Sequence, residues 1–354
     1  MNNYLTHGIH PYHAKYIPEV PRTFIEKYSK EGDLVLDPFA GSGTTLLEAF
    51  LLNRNSIGVD LSFLAAKISL AKISIVKPSL LQDEFVRIQN LYQALDEYPK
   101  VEFENKSYWY NQKTIDVLDR LFYAISTISD QRVKNIFEVI FSSILKTVSN
   151  KRKVWNNGYI ADNVLPNVSY SGDAYKVFVA KAKTVLSRLE KLYEKSKSMD
   201  NCYSSVVHSN ILDFNIDEKV DLIVTSPPYP FAVDFAKYYR LSYYWFSEDV
   251  IKNAEEETGS RHKRNRASAV DDFFKEMKII YEHLFSLVKH GGYFCMTVAD
   301  TSRKNNKISF ITWLKEVFQS NGWILIEDSV REIQNQSMAQ KRIPNEHMLT
   351  FQKK

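Results

Sequence analysis

Residues Leu34 to Asp60 read as an apolar run closing on an acid (LVLD, Leu34–Asp37), a glycine turn (PFAGSG), an apolar stretch (TTLLEAFLLN) and a second apolar run closing on an acid (SIGVD, Ser56–Asp60). A strand, tight turn, helix and second strand packed into so short a span form a βαβ unit. Such a unit forces two parallel strands joined by a right-handed crossover. It commits the chain to an α/β architecture, a doubly wound Rossmann-like sheet with helices on both faces. Further strands are expected over Cys202–Asn210, Val220–Val224, Gly291–Asp300, Trp323–Ile333 and His347–Lys353, with helices between them.

The pattern changes between residues 79 and 199. Leu81, Phe85, Ile88, Leu91 and Leu95 fall at helical spacing, and TIDVLDRLFYAI, VKNIFEVIFSSILKTV and AYKVFVAKAKTVLSRLEKLYEK continue in amphipathic helical style. No strand is expected there. The reading is therefore a catalytic α/β domain made from residues 1–78 and 200–354, interrupted by a helical insertion at 79–199. By elimination, that insertion is the candidate for target recognition.

The turn Asp37–Pro38–Phe39–Ala40–Gly41–Ser42–Gly43–Thr44 sits where a strand hands over to a helix. Gly41 and Gly43 let backbone approach a ligand closely, and the helix starting near Thr44 offers free N–H groups. Taken alone, the glycines could simply make a tight turn. Asp60, followed by Leu61, ends the next strand, where an acid commonly binds ribose hydroxyls. No Gly-Lys-Ser/Thr follows Gly43, so this is no Walker loop, and the full GxGxxG of dinucleotide folds is missing as well. A nucleoside cofactor without a pyrophosphate fits, and S-adenosyl-L-methionine is such a cofactor.

A second unusual stretch, TSPPYP (Thr225–Pro230), follows the strand-like VDLIV. Two adjacent prolines cannot continue a ladder, so the minimal reading is a stiff turn. Together, DPFAGSGTT and TSPPY resemble the amino-directed DNA methyltransferases that use S-adenosylmethionine. IHPYHAKYIPEVP, KYYRLSYYWF, VKHGGYFCMTVAD and RIPNEHMLTFQK are similar to other segments of that family. The resemblance covers both flanks and leaves the helical insertion unmatched.

The resemblance implies a Rossmann-like methyltransferase fold with Asp37, Pro38, Phe39, Gly41, Gly43, Thr44, Asp60 and Leu61 holding the cofactor. His10 and Lys15, from the segment before the loop, would join at its methionine end. At the end of the third strand the family often carries an acid facing the adenine amino group. Here that place falls to Asn210 and Ile211, with Asp213 as the alternative.

The catalytic expectation centres on Ser226, Pro227, Pro228 and Tyr229. An exocyclic base amine must be aligned with the methyl and drawn toward its pyramidal form. The Ser226 hydroxyl and Pro227 carbonyl are acceptors suited to this. The prolines hold that carbonyl rigidly, and alignment can contribute about 7–11 kcal/mol. Tyr229 would stack on a base turned out of its helix. Serine at the first position resembles the cytosine-N4 branch, while aspartate or asparagine is commoner in the adenine-N6 branch. Neither Cys202 nor Cys295 follows a proline, which argues against C5-cytosine chemistry. Asp221 reads as a strand-edge charge and Asp234 as a loop or cap residue, rather than general bases.

The expected partner is double-stranded DNA, in a restriction-modification setting with a cognate restriction endonuclease. The formal charge of +4 is too mild to settle this, but basic residues cluster locally. Lys151, Arg152, Lys153 and Trp155 form one segment, and Arg261, Lys263, Arg264 and Arg266 another. Both could meet phosphates. His7, His10 and His13 recur at three-residue intervals, but Pro11 breaks any helix that would align them, so no metal site is expected. Two cysteines and no long apolar run fit a reducing cytoplasm and no membrane span.

Overall fold

The computed structural model describes residues 4–13, 15–150, 166, 168–199, 202–231, 233–260, 263, 266–303, 306–332 and 345–354. The chain divides into two units. One takes Ala14–Ser69, Asp200–Ala236 and Ile251–Lys354, and the other takes Met1–His13, Leu70–Met199 and Lys237–Val250.

The first unit is built on a seven-stranded sheet. Its strands are β1 (Leu34–Asp37), β2 (Asn55–Asp60), β3 (Ser204–His208), β4 (Val220–Thr225), β5 (Val288–Val298), β6 (Trp323–Glu332) and β7 (Asn345–Lys353). They lie side by side in the order β3-β2-β1-β4-β5-β7-β6. The first five run parallel, and β7 enters antiparallel between β5 and β6. The chain steps outward from β1 to β2 and β3, then returns to the other side of β1 for β4. That reversal places a crevice at the carboxyl ends of β1 and β4, the place where open α/β sheets bind ligands.

Side-chain alternation decides what covers each face. Leu34 and Leu36 of β1, with Phe294 and Met296 of β5, face one core. There they meet Phe273, Met277, Ile280 and Leu284 of the helix Ala269–Leu287, and Phe310, Leu314 and Phe318 of the helix Phe310–Ser320. Val35, Leu222, Val224 and Cys295 face the other way and pack against Val20, Phe24, Ile25 and Ala49, on the helices Glu19–Tyr28 and Thr44–Leu51. All four residues of β1 are buried, as expected of a central parallel strand covered on both sides. Each strand read from the sequence is present, with β5 beginning three residues early at Val288.

The second unit is helical. Its long helices are Pro78–Ala94, Gln112–Ser126, Gln131–Leu145 and Ala174–Ser196, and three of them start on side-chain caps from Asn111, Asp130 and Asp173. The sequence reading drew this region as 79–199. In the structure the unit also includes the short turn Leu5–Gly8 and the helix Arg240–Trp245, whose apolar residues pack among the long helices. Trp245 is fully buried between Phe122, Phe141 and Tyr110. Among the described residues no helix is long and apolar enough to cross a membrane.

The glycine loop depends on one residue above all. Gly43 has φ +71°, and a Cβ there would lie 2.9 Å from the backbone of Ser69. Gly43→Ala therefore combines left-handed strain of about 1–2 kcal/mol with a backbone collision. We expect a fall in urea-unfolding stability of at least that size, together with weaker cofactor binding. A stability equal to wild type would show that the loop shifts without cost.

Candidate active site

Asp37 ends β1 and is 1% exposed. Its carboxylate accepts from the Thr45 hydroxyl at 2.5 Å, the Thr225 hydroxyl at 2.7 Å and the Phe39 amide at 3.2 Å. Thr45 belongs to the helix that follows the glycine loop, and Thr225 is the last residue of β4. Tyr16 extends the chain of hydroxyls by donating to Thr45. Burial pushes the Asp37 carboxyl up to about 6 against the pull of these donors, with the charge of Asp60 adding to the rise.

The loop itself is tied to the end of β2. Asp60 accepts from the Gly41 amide at 2.7 Å and from the Ser62 amide at 2.9 Å, one on each oxygen. Ser69 returns a bond to the Gly41 carbonyl at 3.0 Å, and the Gly43 amide closes on the Ala40 carbonyl at 2.7 Å. Burial also raises the Asp60 carboxyl. Each of its oxygens keeps a second lone pair, the number that a ribose diol needs. Pro38 is buried, Phe39 packs at the edge of the large core, and Leu61 is half-buried with its carbonyl bonded to His208 Nε2 at 3.0 Å. Thr44 is buried at the start of the helix.

Ser226 and Pro227 follow directly from Thr225, so the hydroxyl clamp on Asp37 also fixes the start of the SPPY segment. The Tyr229 hydroxyl lies 3.3 Å from both the Thr297 carbonyl and the Glu346 carboxylate. Burial, and then the negative charge of Glu346, hold the proton on the phenol. Beyond the segment, the Phe231 amide donates to the Gly259 carbonyl at 2.8 Å. Glu257 accepts from the Phe235 and Ala236 amides at 3.0 and 2.6 Å and is lifted by burial to about 7.

Asn210 caps the turn Ile211–Asp213 by accepting from the Leu212 amide at 3.0 Å, Ile211 is buried, and Asp213 is exposed. His10 lies in the helical unit, buried, with Nε2 bonded to Ser142 Oγ at 3.1 Å. Lys15 is half-buried in the sheet unit. Asp221 accepts from the Leu34 amide and from Lys289, and Asp234 from the Ser260 hydroxyl, so both are structural. Arg266 pairs with Glu255 at 2.5 Å, and Lys263 is half-buried. Lys151, Arg152, Lys153, Trp155, Arg261 and Arg264 lie outside the described residues. Sequence reasoning missed Tyr16, Thr45, Thr225 and Glu346. Thr45 and Thr225 stand inside the quoted motifs, but no local signal marks them as partners of one carboxylate.

The sheet order, with its one antiparallel strand between β5 and β6, is a Rossmann-like α/β arrangement that ends β1 and β2 on paired acids. Residues 2–70 match the N6/N4 methyltransferase family model, described as DNA methylase. The type II methyltransferase M.MjaII of Methanocaldococcus jannaschii is 23% identical over 423 residues, covering 94% of this chain and 77% of that protein. M.MvaI of Kocuria varians is 26% identical over 280 residues, covering 68% of this chain and 57% of that one. A tRNA (guanine(10)-N2)-dimethyltransferase of M. jannaschii is 28% identical over 132 residues, 35% of this chain and 33% of its own length. Over residues 2–70, which include the glycine loop, the chain is similar to the N6/N4 methyltransferase family, and its likeness to M.MjaII runs along most of its length.

The elevated Asp37 carboxyl has a defined consequence. Its folded pKa lies above its unfolded value, so its stabilising contribution is complete below about pH 4 and is lost as pH rises through about 6. Two pKa units correspond to about 3 kcal/mol. We expect the ligand-free wild type to lose stability over that window relative to Asp37→Asn, which cannot titrate there. Parallel urea-unfolding curves for the two proteins between pH 4 and 7 would refute the assignment.

Proposed function

We propose that this protein is a site-specific DNA methyltransferase acting on the exocyclic N4 amine of cytosine, within a restriction-modification system that includes a cognate endonuclease. The observation that carries the reading is the Thr225–Asp37 hydrogen bond, which ties the SPPY segment to the strand end that opens the glycine loop. A group held by Gly41, Gly43 and Asp60 and an amine held by Ser226 would then meet at the carboxyl ends of adjacent strands.

S-adenosylmethionine supplies an electrophilic methyl group on a sulfonium. The residues present suit it: backbone close enough for an adenosyl group at Gly41 and Gly43, lone pairs for ribose on Asp60, and a buried carboxylate at Asp37 whose charge a cationic ligand would balance. On the acceptor side, the Ser226 hydroxyl and the Pro227 carbonyl would take the two amino hydrogens and leave the nitrogen lone pair free. Pro227 and Pro228 lock the carbonyl's direction, and the Tyr229 ring offers a face for an extruded base. Serine at 226 supports cytosine over adenine. Likeness to the RNA-modifying relative supports a second reading, an RNA base as acceptor.

The deciding experiment incubates the protein with methyl-labelled cofactor and DNA or RNA, digests to nucleosides and identifies the labelled species. N4-methylcytosine is expected. N6-methyladenine, or label only in RNA, would replace the substrate assigned here, and no transfer with cofactor bound would point to a recognition subunit. Ser226→Ala should lower kcat by about 100-fold or more while cofactor affinity holds. Full activity in that variant would remove Ser226 from the chemistry.

A further inference from the structure

The chain between the end of β4 at Thr225 and the helix that starts at Phe235 carries the SPPY segment, and its downstream limb is tied to one short run, Glu257–Ser260. The Phe231 amide donates to the Gly259 carbonyl at 2.8 Å. The Phe235 and Ala236 amides donate to the two oxygens of Glu257 at 3.0 and 2.6 Å, and the Ser260 hydroxyl donates to Asp234 at 2.5 Å. The run is itself anchored, because the Thr258 hydroxyl donates to Glu276, on the helix Ala269–Leu287, at 2.5 Å. Gly259 has φ +67°, and a Cβ there would come within 2.9 Å of the Phe273 ring and 3.4 Å of the Tyr229 carbonyl oxygen. Glycine suits so close an approach to the SPPY backbone. Burial lifts the Glu257 carboxyl to about 7 against the pull of the two amides, with Asp234 and Asp60 adding to the rise. A neutral acceptor would avoid that cost, so stability alone does not account for an acid here.

We propose that Glu257–Ser260 braces the acceptor side of the site, and that Glu257 is its positioning residue, holding the Phe235 and Ala236 amides so that the Ser226 hydroxyl and the Pro227 carbonyl keep the direction an exocyclic amine needs. Glu257 acts at a distance along the chain and touches no reacting atom. The intervening backbone makes such action effective. Pro227, Pro228 and Pro230 each fix φ, so a displacement at the downstream end is passed along the limb rather than absorbed within it. Both oxygens of one carboxylate are used, one for each amide, so a single side chain sets two consecutive peptide groups. This inference rests on the methyltransferase reading above.

The test compares wild type with Glu257→Gln at pH 8, above the value near 7 that burial gives the acid. Glutamine has one acceptor oxygen and turns an N–H2 group toward the other amide. Amide hydrogen exchange of the free protein reads the brace directly, and at least one of the Phe235 and Ala236 amides should exchange about tenfold faster or more in the variant. With methyl-labelled S-adenosylmethionine and DNA, kcat should fall about tenfold or more. Cofactor affinity by equilibrium dialysis should hold. The urea midpoint should change little, because the variant loses a bond together with the cost of a buried charge. A wild-type kcat in a variant whose amides have lost protection would overturn the positioning role. So would a fall in kcat matched by falls in cofactor affinity and urea midpoint, the mark of general damage. Unchanged exchange at both amides would overturn the brace itself. Absence of transfer by the wild type on any nucleic acid, with cofactor bound, would instead overturn the methyltransferase reading and the positioning role with it, while the exchange rates would still decide the brace.

Discussion

One buried carboxylate organises this site. Asp37 accepts from Thr45, on the helix after the glycine loop, and from Thr225, at the end of the neighbouring strand, so three elements converge on a single group. Burying a carboxylate is costly, and here the donors offset that cost only in part, as the upward shift of its pKa records. A core built for stability alone would have placed an apolar residue here, as β1 does at Leu34, Val35 and Leu36. What the acid gives in return is registration: the glycine loop and the SPPY segment cannot drift apart without breaking bonds to it.

The SPPY segment is stiffened from both ends for the same reason. Upstream lies the Thr225 bond. Downstream, Phe231 adopts φ +60° and is held by the Gly259 carbonyl, and Glu257 receives the first amides of the helix Phe235–Tyr238. Prolines restrict the chain between these anchors. Alignment of reacting groups is worth most when the protein does not have to organise itself at the moment of reaction. Here the order is built in by folding.

Much of this was legible in the sequence. Period-two and fully apolar runs marked the strands, and the acids Asp37 and Asp60 marked where two of them end. Local patterns failed where the deciding partner is distant. Within KYYRLSYYWF no proline or glycine marks a break, yet the backbone breaks at Tyr239 between the helices Phe235–Tyr238 and Arg240–Trp245, where Tyr239 stacks on Tyr12 and Trp245 turns into the helical core. Thr225 meets a carboxylate 188 residues away, and Tyr229 a carboxylate 117 residues away, and no spacing rule reaches that far.

The acids near the glycine loop also bear on what the proposed function would require. Asp37, Asp60 and Glu257 are all raised by burial, and the neighbouring charges acting on Asp37 and Glu257 are those of other acids: Asp60 on the first, Asp234 and Asp60 on the second. Mutual repulsion among acids is relieved by a cation and worsened by a phosphate. Under the proposed function, such a setting would favour a sulfonium and would admit a nucleic acid more readily through an uncharged base than through its backbone. That would be the physical case for extruding the target nucleotide rather than reading it in the stack.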